Sequence, residues 1–326
     1  MSKSARIMLV IVVVFVTVMS FGMTQPYCRP GSAVPIPAAD PLRLEAHVRT
    51  LSTELHPRSH RHPKMMQLAA DYIKESLQET RARVSEQEFE VGGTKFRNII
   101  ASFGLEDGKR IIVGAHYDVV EGTPGADDNA SGVAGVIELA RMLDQYQPTL
   151  PFRVDLVAFA LEEPPYFRTD QMGSSVYAEQ LVKDNVKARA MIALEMIGYF
   201  SDQPDSQDFP AAALLRWLYP TQGNFIAVVG SLSDMALVRT IKSSMKGASS
   251  LPVYSINAPK SMPGIDFSDH LNFWKHGYPA VMITDTAFYR NKNYHTPDDT
   301  AEKLDYQKMA QVVEGVYNAL WAVAGD

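Results

Sequence analysis

An α/β fold built on an open, mostly parallel sheet is predicted by three features of the chain. The first is the stretch Arg110–Gly132, RIIVGAHYDVVEGTPGADDNASG, which passes from an apolar segment through an acidic loop with a histidine into a Gly-rich turn. Arg110–Val113 reads as a short buried strand, and a helical pattern starts near Ser131. The second is a further apolar run, Val154–Leu161, that ends directly in Glu162-Glu163. The third is the alternation of such runs with segments of helical period. In this arrangement an open sheet presents loop side chains beyond the carboxyl ends of its strands, where ligands bind.

The elements follow in order. Lys3 and Arg6 precede an uncharged run from Ile7 to Met23, so residues 1–27 read as a signal peptide or N-terminal membrane anchor. Val18-Met19-Ser20 is a passable cleavage site. The positive-inside tendency keeps the Lys3/Arg6 end cytoplasmic and places the body outside, periplasmic or extracellular, with residues 7–23 as a candidate membrane tether. Residues 28–39, rich in Pro and Ala, read as a linker, and Cys28, alone in the chain, permits no intrachain disulfide. The folded domain is expected over 40–326. It opens with Asp40 as an N-cap, Pro41 at the first helical position, and Leu44, Val48, Leu51 and Leu55 at helical spacing. His56, His60 and His62, interleaved with Arg58 and Arg61, read as a solvated loop. A helix from Pro63 to Glu79 is expected to bury Leu68, Tyr72 and Leu77. Arg83–Val91 and Lys95–Phe103, joined at Gly92-Gly93, read as a hairpin.

Beyond the first loop, Ser131–Tyr146 is a helix with Val133, Val136, Ile137, Ala140 and Leu143 on its buried face. Ser174–Val186 is another. Ala190–Ile197 is a strand whose single charged residue is Glu195, which needs a partner. Phe225–Val229 and Ala280–Thr284 read as strands. Met235–Lys246 and Tyr306–Ala324 read as helices, and Ser268-Asp269-His270 opens a short one with Asp269 as a candidate N-cap.

Composition limits the function classes. At 326 residues, with 46% hydrophobic and 21% charged, the chain has ample core for one large or two smaller domains. A net charge of −6 and the lack of a basic stripe argue against nucleic acid. The Gly-rich GTPGADD has no Gly-Lys-Ser/Thr ending and is acidic, so it is not a phosphate loop. Asn129-Ala130-Ser131 matches a glycosylation sequon, but a glycan there would block the loop.

The chemistry lies in the strand-end residues. Asn293-Tyr294-His295-Thr296-Pro297-Asp298-Asp299-Thr300 adds a second histidine beside polar residues. Carboxylates gathered with two imidazoles at one sheet edge repel each other unless cations neutralise them, as in a zinc site with mixed nitrogen and oxygen ligands. In this order, HYD, GADDNASG, the Glu pair after a strand, SDH and YHTPDDT resemble the two-zinc aminopeptidases of peptidase clan MH, from about Asp40 to the C-terminus. The resemblance implies a three-layer α/β fold, its mixed, mostly parallel sheet flanked by helices on both faces, and peptide substrates with a free N-terminus.

It also implies residue roles. Asp128 would bridge two Zn2+ ions, with His116 and Glu195 completing one ion's ligands and Glu163 and His295 the other's. The family usually carries Asp where Glu195 stands. Three ligand carboxylates against four positive charges favour a bound hydroxide, with Glu162 as general base. Asp118 would accept the other imidazole N–H of His116, and Tyr294 would stabilise the oxyanion. The Asp128–Asn129 peptide bond would be cis. Ser201–Asn224 has no match in the minimal family pattern and reads as an insertion that shapes the pocket. A single-zinc glutaminyl cyclase, a carboxypeptidase of the same clan and a non-enzymatic receptor-like domain are the alternatives.

Overall fold

The computed structural model describes residues 5–8, 21–146, 150–210 and 215–325. Eight strands form one sheet: β1 (Arg83–Val91), β2 (Thr94–Gly104), β3 (Arg110–His116), β4 (Arg153–Phe159), β5 (Ala188–Glu195), β6 (Ile226–Ser231), β7 (Val253–Ala258) and β8 (Ala280–Thr284). Their spatial order is β1-β2-β4-β3-β5-β8-β6-β7. The central β4-β3-β5-β8 pairs are parallel, while β1-β2, β2-β4 and β6-β8 are antiparallel.

Strand side chains alternate between two cores. Ile111 and Val113 of β3, Val154 and Leu156 of β4 and Ile192 and Leu194 of β5 face one. It is covered by α1 (Pro41–Arg49), α2 (Pro63–Gln78), α3 (Gly132–Tyr146), α5 (Met235–Ala248) and α7 (Tyr306–Gly325). Ile112, Val157, Met191 and Ala193 face the other, covered by α4 (Gly173–Lys183) and α6 (His270–Lys275). A sheet buried on both faces explains why β3 to β5 read as continuous apolar runs. The expected three layers are present.

Several elements differ from expectation. Asp40 does cap α1, accepting from Leu42 N at 2.9 Å. On α2, however, Leu68 is 41% exposed, and the buried stripe is Met66, Ala69, Ala70, Ile73 and Leu77. Leu68 sits two residues from both Met66 and Ala70, on the opposite side of the helix. β7, VYSINA, has no counterpart in the sequence reading. It interleaves Tyr and Asn with apolar residues at the sheet's edge and lacks the apolar run that marks the central strands.

Residues 28–39 carry no regular structure, but they do not hang free as a tether would. Gly31 N donates to Ser243 O at 2.8 Å, Val34 N to Asn318 Oδ1 at 3.0 Å and Ala39 N to Glu314 Oε1 at 3.2 Å. Just upstream, the buried Lys242 Nζ holds the carbonyls of Thr24 and Gln25, each at 3.1 Å. The segment is a strap across α5 and α7. Most of the apolar run 7–23 and the cleavage site at 18–20 lie outside the described residues, among which no helix is long and apolar enough to cross a membrane.

Candidate metal centre

The site forms where the sheet changes direction. β4 and β5, consecutive in sequence, lie on opposite sides of β3, so a crevice opens at the carboxyl end of β3. His116 is the last residue of β3 and Glu195 the last of β5, while Glu162 and Glu163 follow β4 and His295 follows β8. Three of these positions are turned inward by left-handed backbone: Leu161 (φ 62°) just before the Glu pair, Met196 (φ 52°) just after Glu195, and His295 itself (φ 56°). Non-glycine residues adopt this region rarely, and here it aims side chains that a continuing strand would send to alternate faces.

Asp128 stands at the centre, with one oxygen toward each half of the site. Its Oδ1 lies 3.3 Å from His116 Nε2, which is also 3.3 Å from Glu195 Oε2. Its Oδ2 lies 3.0 Å from His295 Nε2, which is 3.4 Å from Glu163 Oε1. Three groups, His116/Asp128/Glu195, His116/Glu162/Glu163 and Asp128/Glu163/His295, are each compact enough to hold an ion, and the first and last share Asp128. Zinc–ligand bonds of about 2.0–2.2 Å in tetrahedral geometry separate ligand atoms by roughly 3.3–3.6 Å, close to these spacings. His116 Nε2, Asp128 Oδ1, Glu163 Oε1 and His295 Nε2 are also buried without a hydrogen-bond partner. Buried polar atoms are rarely left so, and four of them gathered around the two halves of this site fit metal coordination. The Asp128–Asn129 peptide bond is cis, as the resemblance implied.

The electrostatics agree. Burial, with Asp128 adjacent, pushes the Glu163 carboxyl up to about 8. Burial likewise raises Glu195, and it raises Glu162 well above the usual carboxylate range. Burial alone would lower His116, but Glu195 and Glu162 outweigh it and hold the imidazole well above its ordinary value. His295 rises to about 10 because Asp128 and Glu163 overcome its burial. Asp128 is buried too, yet the two facing imidazoles keep it below the ordinary range. Such opposed shifts mark a cluster with excess negative charge that a divalent cation would relieve.

The remaining expected residues have more particular places. Asp118 accepts Glu162 N at Oδ1 and Glu163 N at Oδ2, both at 3.0 Å. His116 Nδ1 has the Asp118 carbonyl at 3.2 Å and the carboxylate only at 3.5 Å. Asp118 therefore holds the Glu-pair backbone more closely than it holds the imidazole. Glu162 Oε2 is 3.9 Å from His116 Nε2, beside the ligands without crowding them. Tyr294 stacks on His295, with centroids 3.7 Å apart and planes at 18°, and burial raises its phenol so that it stays protonated. Asp269 does not cap α6: its side chain makes no capping bond, and both oxygens are buried near His116 and Glu195.

Supporting residues were not legible as such. Asn129 Nδ2 donates to Leu194 O at 2.8 Å, while its Oδ1 accepts Gly132 N and Met196 N. It clamps the Asp128 loop to the end of β5 and is fully buried, which excludes it as a glycan acceptor. Asp299 accepts Asp127 N and Asp128 N, both at 3.0 Å. Ser268 Oγ donates to Glu195 Oε2 at 2.7 Å. Arg58, expected in a solvated loop, is fully buried and donates to the carbonyls of Leu51, Tyr117, Pro124 and Gly125. Gly125 (φ 63°) has no room for a Cβ, which would lie 2.3 Å from Asp128 O.

Beside Glu195 lies an apolar pocket of about 100 Å³, several times what one water needs, walled by Tyr219, Phe225, Tyr254, Phe267, Met282 and Phe288. Gln207, Asp208, Phe209, Pro210, Leu215 and Tyr219 bring the 201–224 segment into that wall.

The family model of peptidase family M28 matches residues 98–320, the span that carries every one of these strand ends. The chain belongs to peptidase family M28. A protein of Escherichia coli (strain K12) with the name YfbL is 52% identical over 291 residues, covering 87% of this chain and 88% of its own. Leucine aminopeptidase 1 of Blastomyces gilchristii is 26% identical and covers 82% of this chain and 66% of its own. Among solved structures, a zinc aminopeptidase of Bacillus subtilis shares the fold at TM-score 0.69 and 14% identity, covering 88% of this chain and 96% of its own. A Bacteroides thetaiotaomicron glutaminyl cyclase bound to N-acetylhistamine does so at TM-score 0.66 and 19% identity, covering 88% and 99%. The M28 member described here is thus a hydrolase of the peptidase class.

Proposed function

We propose that this M28 peptidase is a two-zinc aminopeptidase that removes N-terminal residues from peptides. The observation that carries the reading is Asp128, whose two oxygens face different histidines, each accompanied by a further carboxylate. His116, Asp128 and Glu195 would hold one ion, and Asp128, Glu163 and His295 the other. Zinc, when bound, supplies Lewis acidity that polarises the scissile carbonyl and brings the attacking water's pKa toward neutrality. Glu162 accepts that water's proton and returns it to the leaving amine. Its carboxyl is positioned for this because Asp118 fixes its backbone N–H. Tyr294, protonated and stacked on His295, is placed to donate toward the oxyanion. The apolar pocket receives the N-terminal side chain, and Glu162 and Glu195 attract the free ammonium. Export, with the Ile7–Met23 run as signal or tether, is part of the same proposal and is supported by the Lys3/Arg6 flank.

The glutaminyl-cyclase reading is favoured by the structural likeness to that enzyme. One comparison separates the two. The purified protein is assayed on a leucyl anilide, its N-acetylated form and an N-terminal glutaminyl peptide, with metal content measured in parallel. Two zinc ions per chain, turnover of the free anilide and loss of most activity on acetylation are expected. Equal turnover of blocked and free substrates would sink the aminopeptidase reading. One ion per chain with cyclisation of the glutaminyl peptide would establish the alternative.

A further inference from the structure

The loop that leaves the Glu pair and the loop that enters Ser268 are joined by one ion pair. Arg168 Nη2 lies 2.6 Å from both Asp266 Oδ1 and Asp266 Oδ2. The guanidinium also sits 5.3 Å from the Phe167 ring centroid and 5.1 Å from that of Phe267, and the two rings meet edge to face at 6.0 Å. Each partner is close in sequence to the site. Arg168 is five residues beyond Glu163, in a turn where Tyr166 N donates to Glu163 O at 3.0 Å. Asp266 is two residues before Ser268, which holds Glu195, and the intervening Phe267 lines the apolar pocket.

We infer that Arg168 and Asp266 are positioning residues, a latch that holds the Phe267 wall against the pocket and thereby favours substrates with large apolar N-terminal side chains. The inference rests on the aminopeptidase reading above. An exposed ion pair alone contributes about 0–1 kcal/mol, but this guanidinium also lies over two aromatic rings. An interaction of that size does not build the fold. It shifts the balance between loop conformations, and hence binding of a side chain that needs the wall in place. The reacting groups lie on other residues, so the chemical step is untouched.

The test uses the full-length, zinc-loaded enzyme with Arg168→Met, Asp266→Asn and the exchanged pair Arg168→Asp/Asp266→Arg. Kinetics are measured on phenylalanyl and alanyl anilides, together with zinc content and amide hydrogen exchange over 259–267. Each single variant is expected to raise KM for the phenylalanyl substrate about 3–10-fold, the range an exposed ion pair and a cation–π contact together support, with kcat and zinc content unchanged. KM for the alanyl substrate should stay within about twofold, the exchanged pair should recover part of the loss, and exchange over 259–267 should quicken in the single variants. High salt should move the wild type in the same direction, because Arg168 is half-exposed. An unchanged phenylalanyl-to-alanyl ratio, or no recovery in the exchanged pair, overturns the inference. If the wild type cleaves neither anilide, the aminopeptidase reading and the specificity claim fail together. Exchange then judges the latch alone, and unaltered protection in Arg168→Met overturns it.

Discussion

Glu162 and Glu163 are adjacent and chemically identical, yet beyond the left-handed turn at Leu161 Glu162 Oε2 lies 3.9 Å from His116 Nε2 and Glu163 Oε1 3.4 Å from His295 Nε2, and the proposed mechanism gives them different roles. Their substitutions should therefore differ. Glu162→Gln keeps size and hydrogen bonding but cannot accept a proton, so zinc content should survive while kcat falls about 10²–10⁴-fold. Glu163→Gln removes the charge of a proposed ligand, so metal affinity, activity and thermal stability should fall together. Metal analysis beside kinetics decides, and zinc loss in Glu162→Gln with full zinc in Glu163→Gln would reverse the assignments. Arg58 offers a second residue-scale test. Arg58→Met leaves four buried carbonyls without their donor next to the Asp128 loop, a cost of roughly 3–5 kcal/mol. Urea unfolding should show that loss, with zinc affinity lowered; a midpoint near wild type would mean the loop does not depend on the arginine.

At the scale of elements, the N-terminal strap is the segment whose role changed most between sequence and structure. Its Pro- and Ala-rich composition reads as a linker, but its backbone groups bond to Ser243, Asn318 and Glu314, and Lys242 is buried beneath Thr24 and Gln25. Removing residues 1–23 should therefore leave the melting temperature nearly unchanged. Removing 1–39 exposes Lys242 and the α5/α7 seam and should lower it by several degrees, since about 1 kcal/mol shifts Tm by about 2–4 °C in a domain of this size. Differential scanning calorimetry on the two truncations checks this. Equal melting temperatures would make the strap a passive linker.

For the whole molecule, the excess of buried acid ties stability to metal and pH. Burial raises Glu163 to about 8, Asp269 and Asp299 to about 7 and Asp285 to about 6, all above their unfolded values. His295 rises to about 10. Every one of these shifts means that the metal-free native state binds more protons than the unfolded chain. The contribution of these groups to the stability slope with pH is then negative, beginning near pH 4 as the carboxyls lose their protons and continuing through the histidine to about pH 10. Zinc held by Glu163 and His295 would keep both deprotonated and remove their share of that loss. Chelated protein should thus melt progressively lower as pH rises from about 5 to 8, with the gap to zinc-loaded protein widening. A gap independent of pH would place the metal away from these groups.

The sequence by itself determined the sheet's central strands, the helices between them and the strand-end residues, because a sheet buried on both faces leaves apolar runs that stop abruptly at polar residues. His116, Glu162, Glu163 and Glu195 end or follow such runs, so their place at the strand ends was legible from period and position, whereas Asp128 and His295 were singled out by the resemblance to the two-zinc aminopeptidases. Tertiary structure decided what depends on partners distant in sequence. Arg58 looks like any loop arginine until four carbonyls from three other segments close around it. Asp269 looks like an N-cap until its neighbours are His116 and Glu195. β7 and the strap have no apolar period because edge positions bury only part of their side chains. The Arg168–Asp266 pair spans 98 residues, and no local pattern reaches that far. Periodicity records which face of an element is buried, whereas the partner that satisfies a buried charge is set by how the layers meet.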